Sequence, residues 1–298
     1  MITQRDIDIL CKVARYYVVS RVHVQQLCFP EDHTGRATRR RLQALVSANL
    51  IQRCRAPIFN AGGGSPWPAY FPSRLGAELL AQHFDDERFL ATPTRSPEPF
   101  HLHHWLAVTD THIALDQAIA RQNLVRLENW LNEWDVVNPQ ATQPEQRYRL
   151  YTMLRENPRL VCAPDSAFLL AVGEHRKVFY LEQDRSTSGV RQIAARKTPG
   201  YAEMAKRHSH RRHFPDTTLP IFTVLMIVPT VGRRDALQKA LRGKPGAEHW
   251  KFAVASDLTP EQFLHTPVFY PCEGEPTPLV KPQPVASEQP ILETVQVT

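Results

Sequence analysis

The sequence predicts a two-domain α+β / α/β protein, and three observations carry that expectation. Residues 3–84 show helical apolar spacing interrupted by one glycine-rich hairpin. Residues 91–99, Ala-Thr-Pro-Thr-Arg-Ser-Pro-Glu-Pro, break the pattern with prolines. From residue 160 onward, apolar strands alternate with helical stretches. The expected division is a unit over 1–90, a linker over 91–99, an α/β unit over 100–270 and a disordered, proline-rich acidic tail over 271–298.

Within the first unit, Thr3-x-x-Asp6 has the spacing of a capping box, and Ile7, Leu10 and Ala14 follow at helical intervals. Ser20 can cap a short second helix through Val24, Leu27 and Cys28. A third helix over 34–49 buries Leu42, Leu45 and Val46. It presents Arg36, Arg39, Arg40 and Gln43 on the opposite face at i, i+3, i+4 and i+7. Strands over 50–55 and 68–71 flank the tip Gly62-Gly63-Gly64-Ser65, and a helix over 74–84 closes the unit. Two helices, a basic helix and a hairpin are the order of a winged helix-turn-helix domain, which sets its third helix in the DNA major groove. A basic face can also be merely solvated, and winged folds can bind protein.

Charge is placed in patches on a chain of formal net charge +6 and sequence pI about 9.2. Residues 34–55 hold six arginines and no acid; Arg36, Arg39, Arg40, Arg41, Gln43, Arg53 and Arg55 are the expected DNA contacts of this unit. Residues 185–213 hold eight lysines or arginines, three histidines and one acid, Glu203. There Lys206, Arg207, Arg211 and Arg212 are expected to touch phosphate, with His208, His210 and His213 in the same solvated or phosphate-facing loop. Double-stranded DNA is the expected partner. Five scattered cysteines without a C-x-x-C pair argue against zinc and against a disulfide framework. No apolar run approaches the roughly 20 residues of a membrane span, and no signal peptide is visible, so a cytoplasmic protein is expected.

In the second unit the expected elements are a long helix over 101–122, a strand-like stretch over 125–137 carrying Glu128, Glu133 and Asp135, and a polar segment over 138–158 that is helical at best. A strand pair follows over 160–172 and 177–183, then a helix over 190–207 broken near Pro199. A buried strand over 219–228, a helix over 235–241 and a strand over 250–255 complete it. The strand pair holds Pro164-Asp165 and Glu182-Gln183-Asp184. A turn centred on Glu174-His175 would set Asp165 opposite Asp184 and Ala167 opposite Glu182, so that all three carboxylates share a face. Such a cluster repels itself unless a cation sits in it, and Mg²⁺ suits hard oxygen ligands. The alternative is that Asp165 ends a turn while Glu182 and Asp184 face solvent beside arginines.

Taken together, these residues resemble the replication-relaxation family of bacterial plasmids and mobile elements. The resemblance lies in Leu27 and the run 38–50, in Tyr70-Phe71 leading to Arg74-Leu75-Gly76, and in His104-x-x-Ala107-Val108-x-Asp110. It continues through Pro164-Asp165, Phe179-Tyr180-Leu181-Glu182-x-Asp184-Arg185-x-Thr187, Lys197, Tyr201 and the strand ending near Arg233. The resemblance implies a PD-(D/E)XK nuclease-like second domain, in which Asp165 and Glu182 would bind metal and Glu133 would be a weaker third acid. The lysine of that pattern is Asp184 here, so Asp184 would join the metal-binding acids and Lys197, from the following helix, would supply the ammonium. Three functions stay open. One is a DNA-binding accessory protein in replication, mobilisation or regulation, with homodimerisation and replication or mobilisation proteins as further partners. The second is an active Mg²⁺-dependent endonuclease using Asp165, Glu182 and Lys197. The third is a protein-binding adaptor.

Overall fold

The computed structural model describes residues 2–55 and 68–281. The hairpin tip at Gly62–Ser65 and the tail over 282–298 lie outside the described residues. Helix α1 (Gln4–Tyr16) begins at Thr3, whose backbone N–H and hydroxyl donate to the Asp6 carboxylate at 2.7 and 2.8 Å. Strand β1 (Val19–Ser20) leads into α2 (Arg21–Cys28), capped by Ser20 Oγ accepting from the His23 N–H at 3.1 Å. Then come α3 (Arg36–Ser47), β2 (Ile51–Arg55), β3 (Pro68–Pro72) and α4 (Arg74–Phe84). The three strands form one sheet in the order β1-β3-β2. Ile9, Val13, Val24, Leu42, Leu45, Ile51 and Leu80 fill the core beneath it, so the helical spacing read from the sequence is the spacing that packs. At Gly76 a Cβ would stand 2.0 Å from the Leu50 carbonyl oxygen, which is why the first turn of α4 holds a glycine there.

The second unit is a six-stranded mixed sheet. Helix α5 (Leu102–Ala120) precedes β4 (Val125–Asn132), and α6 (Pro144–Arg147) precedes the small hairpin of β5 (Thr152–Arg155) and β6 (Leu160–Cys162). Strands β7 (Ser166–Val172) and β8 (His175–Gln183) lead to α7 (Val190–Lys206), α8 (His210–His213) and β9 (Phe222–Val228). Helix α9 (Val231–Leu241), β10 (Trp250–Val254) and β11 (Tyr270–Pro271) complete the order. The sheet runs β11-β10-β9-β8-β7-β4, with β8, β9 and β10 parallel and the outer pairs antiparallel. All seven residues of β9 are buried, as a strand covered on both faces requires. Helices α7 and α9 cover one face through Tyr201, Met204, Leu237 and Leu241. Helix α5 and the segment carrying Phe263 and Phe269 cover the other. Among the described residues no helix is long and apolar enough to cross a membrane.

Helix α5 belongs to both units. Val108, Leu115 and Ala118 pack on the sheet, while Leu102, Trp105 and Leu106 pack on Tyr17, Val18 and Phe71 of the N-terminal unit. Arg15 clamps Asp116 of α5 at 2.6 and 2.7 Å, and Thr109 donates to the Val18 carbonyl at 2.9 Å.

Several expectations are corrected. The segment 138–158 contains a strand, because Leu150 and Leu154 are buried and Thr152 and Met153 pair with β6. The strand expected over 160–172 is two: β6 joins the small hairpin, and Pro164, with no N–H to donate, marks the break before β7. Helix α7 runs unbroken through Pro199, where Gly200 lies so close to β6 that a Cβ would meet the Val161 oxygen at 2.7 Å. The β7–β8 turn is Gly173-Glu174, with Val172 opposite His175 and Gly173 at φ 55°. Ser166 therefore faces Leu181, and the next step sets Asp165 beside Glu182 rather than opposite Asp184. The slip is two residues, so the faces are unchanged. Packing also extends past residue 270: Phe269 bridges Thr277, Leu279 is buried, and Val280 N–H donates to the Leu264 oxygen at 2.9 Å.

Candidate functional site

Asp165 sits where three strands end together. Its N–H donates to the Leu181 oxygen at 3.1 Å, and its carbonyl accepts from the Glu133 N–H at 3.0 Å. The backbone is thus stitched to β8 on one side and to the end of β4 on the other. Asp165 Oδ2 accepts from the Gln183 N–H at 2.6 Å, which aims the other oxygen away from the strand. His104, in the first turn of α5, brings Nε2 to 3.5 Å from Asp165 Oδ1. Glu133 accepts from the Trp105 indole N–H. Ligand atoms of His104, Glu133 and Asp165 all lie within 4.8 Å of one another.

Beside this group, α7 delivers Lys197 and Tyr201, one turn apart on one helical face. Lys197 Nζ donates to Glu182 Oε2 at 2.6 Å and lies 3.9 Å from Asp165 Oδ1, while Tyr201 donates to Glu182 Oε1 at 2.6 Å. Both Glu182 oxygens are therefore engaged, in a side chain only 3% exposed. Burial lifts the Glu182 carboxyl to about 7, with Lys197 pulling the other way. Burial also works against the Lys197 ammonium, but Glu182 and Asp165 outweigh it and hold that group above its ordinary value. For Asp165, burial is overcome by Lys197 and His104, which hold it down to about 2. Glu133 is raised by burial and by Asp165. His104 is raised despite its burial, because three carboxylates surround it.

Asp184 goes elsewhere. Its carboxylate accepts from Arg233 Nε and a terminal nitrogen at 2.6 and 3.0 Å, and Arg233 also donates to the Ser188 oxygen at 2.6 Å. Thr230 caps α9 by accepting from the Arg233 N–H at 3.2 Å, which fixes Arg233 in the first turn. The nest of three carboxylates expected from the sequence is thus divided. Asp165 meets His104 and Glu133, Glu182 meets Lys197 and Tyr201, and Asp184 meets Arg233. All of them except Tyr201 and Arg233 line one cavity of about 650 Å³. His104, Trp105 and Arg233 come from elements remote in sequence. Tyr201 had a local signal in its four-residue spacing from Lys197.

The basic residues fall in two places. Arg36, Arg39, Arg40 and Gln43 are exposed along α3, and Arg53 and Arg55 on β2. Arg41 is not free with them: its guanidinium grips the buried Asp6 at the start of α1. Lys206, Arg207, Arg211 and Arg212 are exposed, with Arg207 on Glu203 at 2.5 Å. They lie nine or more residues beyond Lys197, which puts Lys206 about 14 Å further along the helix axis, away from the acidic cavity. The expected histidine loop is corrected, since His210 and His213 are buried. His213 bonds Thr152 Oγ1 at 2.9 Å and the Tyr180 hydroxyl at 2.7 Å, and burial lowers it to about 4.

A search of curated proteins finds no match to this chain. Among solved structures the chain is similar to restriction endonuclease FokI, at 11% identity and a TM-score of 0.32, covering 87% of this chain and 43% of that one. The chain thus spans less than half the length of that enzyme. A family model described as replication-relaxation matches residues 10–217, from within α1 to just beyond α8. That span takes in the N-terminal unit, His104, Glu133, Asp165, Glu182 and Lys197, and the chain belongs to the replication-relaxation family.

Proposed function

We propose that this protein docks on double-stranded DNA through its N-terminal unit, acting as a winged helix-turn-helix, and cuts or nicks the backbone at the acidic cavity. One observation carries the reading: Lys197 Nζ stands 2.6 Å from Glu182 and 3.9 Å from Asp165, in the cavity that also holds His104 and Glu133. An ammonium beside a carboxylate cluster is what phosphodiester hydrolysis needs, one group to meet the phosphate and the other to hold a divalent ion. The donor set fits such an ion, because Glu133 and Asp165 are close enough to repel and the imidazole of His104 completes a three-ligand face. Bound there, the ion would supply Lewis-acid activation of water at the phosphodiester. Lys197 would donate to a phosphate oxygen, Glu182 would orient its ammonium with Tyr201 holding Glu182 in place, and the Gln183 N–H would fix Asp165. Exposed Arg36, Arg39 and Arg40 would contact phosphates in the groove reached by α3.

Supercoiled plasmid incubated with the protein and Mn²⁺ or Mg²⁺ is expected to become nicked or linear, and Asp165→Asn is expected to lose that activity while remaining folded. A second reading, a binding-only accessory role in replication or mobilisation, is favoured by Asp184, which stands where a nuclease lysine would and is spent on Arg233. Absence of metal-dependent cleavage by the unaltered protein would select it. Both readings share a DNA-binding prediction. A variant with Arg36, Arg39 and Arg40 all changed to alanine should bind duplex DNA more weakly. Its slope of log affinity against log salt should be shallower by about 2.7 if all three contact phosphate. An unchanged gel shift would place the contact elsewhere.

A further inference from the structure

Glu182, the acid expected to share a metal ion with Asp165, instead has each oxygen accepting a hydrogen bond, one from Lys197 and one from Tyr201, and it does not join the cluster of ligand atoms among the described residues. The group that does converge contains a nitrogen: His104, with Glu133 and Asp165. We infer that His104 is a metal ligand and that the site selects a transition ion such as Mn²⁺ over Mg²⁺. The inference rests on reading the cavity as a metal-dependent site and goes further by naming the ligand that sets the choice of ion.

Two features support it. Each carboxylate is already oriented by a donor outside the group, Glu133 by the Trp105 indole and Asp165 by the Gln183 N–H. Outer hydrogen bonds of this kind hold metal ligands in place before the ion arrives. The second feature is the placement of His104. Adjacent residues on α5 serve one site: Trp105 orients Glu133, and His104 points at Asp165. The Trp105 ring is itself wedged between Tyr17 and Trp134, with centroids 5.7 and 5.0 Å away, so this turn of the helix is fixed by packing. Mg²⁺ favours hard oxygen ligands and gives up its waters reluctantly, whereas imidazole suits first-row transition ions.

The test uses the full chain and metal ions alone. Free Mn²⁺ gives a six-line paramagnetic resonance signal that disappears on binding, and Mg²⁺ can be measured by its competition with Mn²⁺. The expected result is Mn²⁺ binding at least about tenfold tighter than Mg²⁺. His104→Ala should weaken Mn²⁺ binding by about tenfold or more, a loss of at least about 1.4 kcal/mol. His104→Asp, which makes the ligand set all oxygen, should narrow the Mn²⁺ preference and keeps the test open if the alanine variant does not fold. Equal affinity for the two ions in the unaltered protein, or an unchanged ion preference in His104→Asp, would overturn the inference. Plasmid nicking separates the two proposals. Selective Mn²⁺ binding that depends on His104, without cleavage, removes the nuclease reading and leaves this one standing. Cleavage with equal use of both ions and no dependence on His104 does the reverse.

Discussion

Replacing Lys197 with methionine is expected to abolish the proposed metal-dependent cleavage and to make the folded state lose stability steadily as pH rises from 5 to 8. Methionine keeps most of the apolar stem, so the change removes charge more than volume. What remains is a carboxylate buried at the end of β8 with only the Tyr201 hydroxyl as donor. Leaving one partner of a buried ion pair unpaired costs about 3–5 kcal/mol while the survivor stays ionised. Glu182 can escape that cost by taking up a proton. Its folded pKa, about 7 against an ordinary 4.5, is already raised, and loss of the ammonium moves it higher. Between 4.5 and that higher value the native state holds a proton that the unfolded chain has released. Stability therefore falls with rising pH, by up to about 1.4 kcal/mol per unit. In the unaltered protein the same fall should level off above 7, whereas in the variant it should continue. Asp165 is held down to about 2 partly by the same ammonium, so its carboxyl also rises in the variant, in the same direction as Glu182. Urea unfolding at pH 5, 6, 7 and 8 reads the difference. Parallel profiles for the two proteins would mean that Lys197 does not carry the charge of Glu182.

The N-terminal unit and the two acids of the cavity were legible in the sequence for physical reasons that differ. In the first case helical spacing, Thr3 and Ser20 as caps and the break around the hairpin are local signals, and the packing follows them. In the second, the turn differs by two residues in register from the one expected, yet Asp165 and Glu182 still line one cavity. Side-chain direction repeats every two residues, so an even slip preserves the face. Lys197 was legible only as a lysine on the next helix. Its contact with Glu182 depends on α7 lying across β8, which no local pattern states. His104 was marked only by the family resemblance and given no part in the site, because the docking of α5 against both units is what brings its imidazole to Asp165. The strand at Thr152–Arg155 was hidden because its partner, β6, was read as part of a longer strand. Pro199 misled because its cost of one hydrogen bond was weighed without the close approach of Gly200 to β6. His210 and His213 were hidden in a charged run, where burial depends on the turn that α8 makes against Tyr180 and Leu219.

Asp184→Lys places a lysine where the resemblance to nuclease-like domains expects one, and it is expected to destabilise the protein without improving the proposed cleavage. The position is occupied in structural terms. Asp184 is 4% exposed and Arg233 13% exposed, and the guanidinium is held by both carboxylate oxygens. A lysine there would strand Arg233 beside a second cation, with Lys197 already on the neighbouring acid. The cost should be about 3–5 kcal/mol, the size seen when a buried pair is broken. Asp184→Asn keeps an acceptor for Arg233 and removes only the charge, so it should cost less, about 1–3 kcal/mol. The same pair also pins a loop that lines the cavity. Asp184 accepts from the Ser186 N–H at 3.2 Å and Arg233 reaches the Ser188 oxygen at 2.6 Å, tying the loop on both sides of Thr187. Trypsin should therefore cut after Arg185 faster in both variants than in the unaltered protein, in the same order as their loss of unfolding free energy. A lysine variant that folds as stably as the original and cleaves faster would show that Asp184 merely replaced a lysine. Slower proteolysis or unchanged stability would separate the pair from the loop. The expected order, lysine worse than asparagine in both measurements, follows from charge alone, since either substitution spares the cap that Thr230 places on α9.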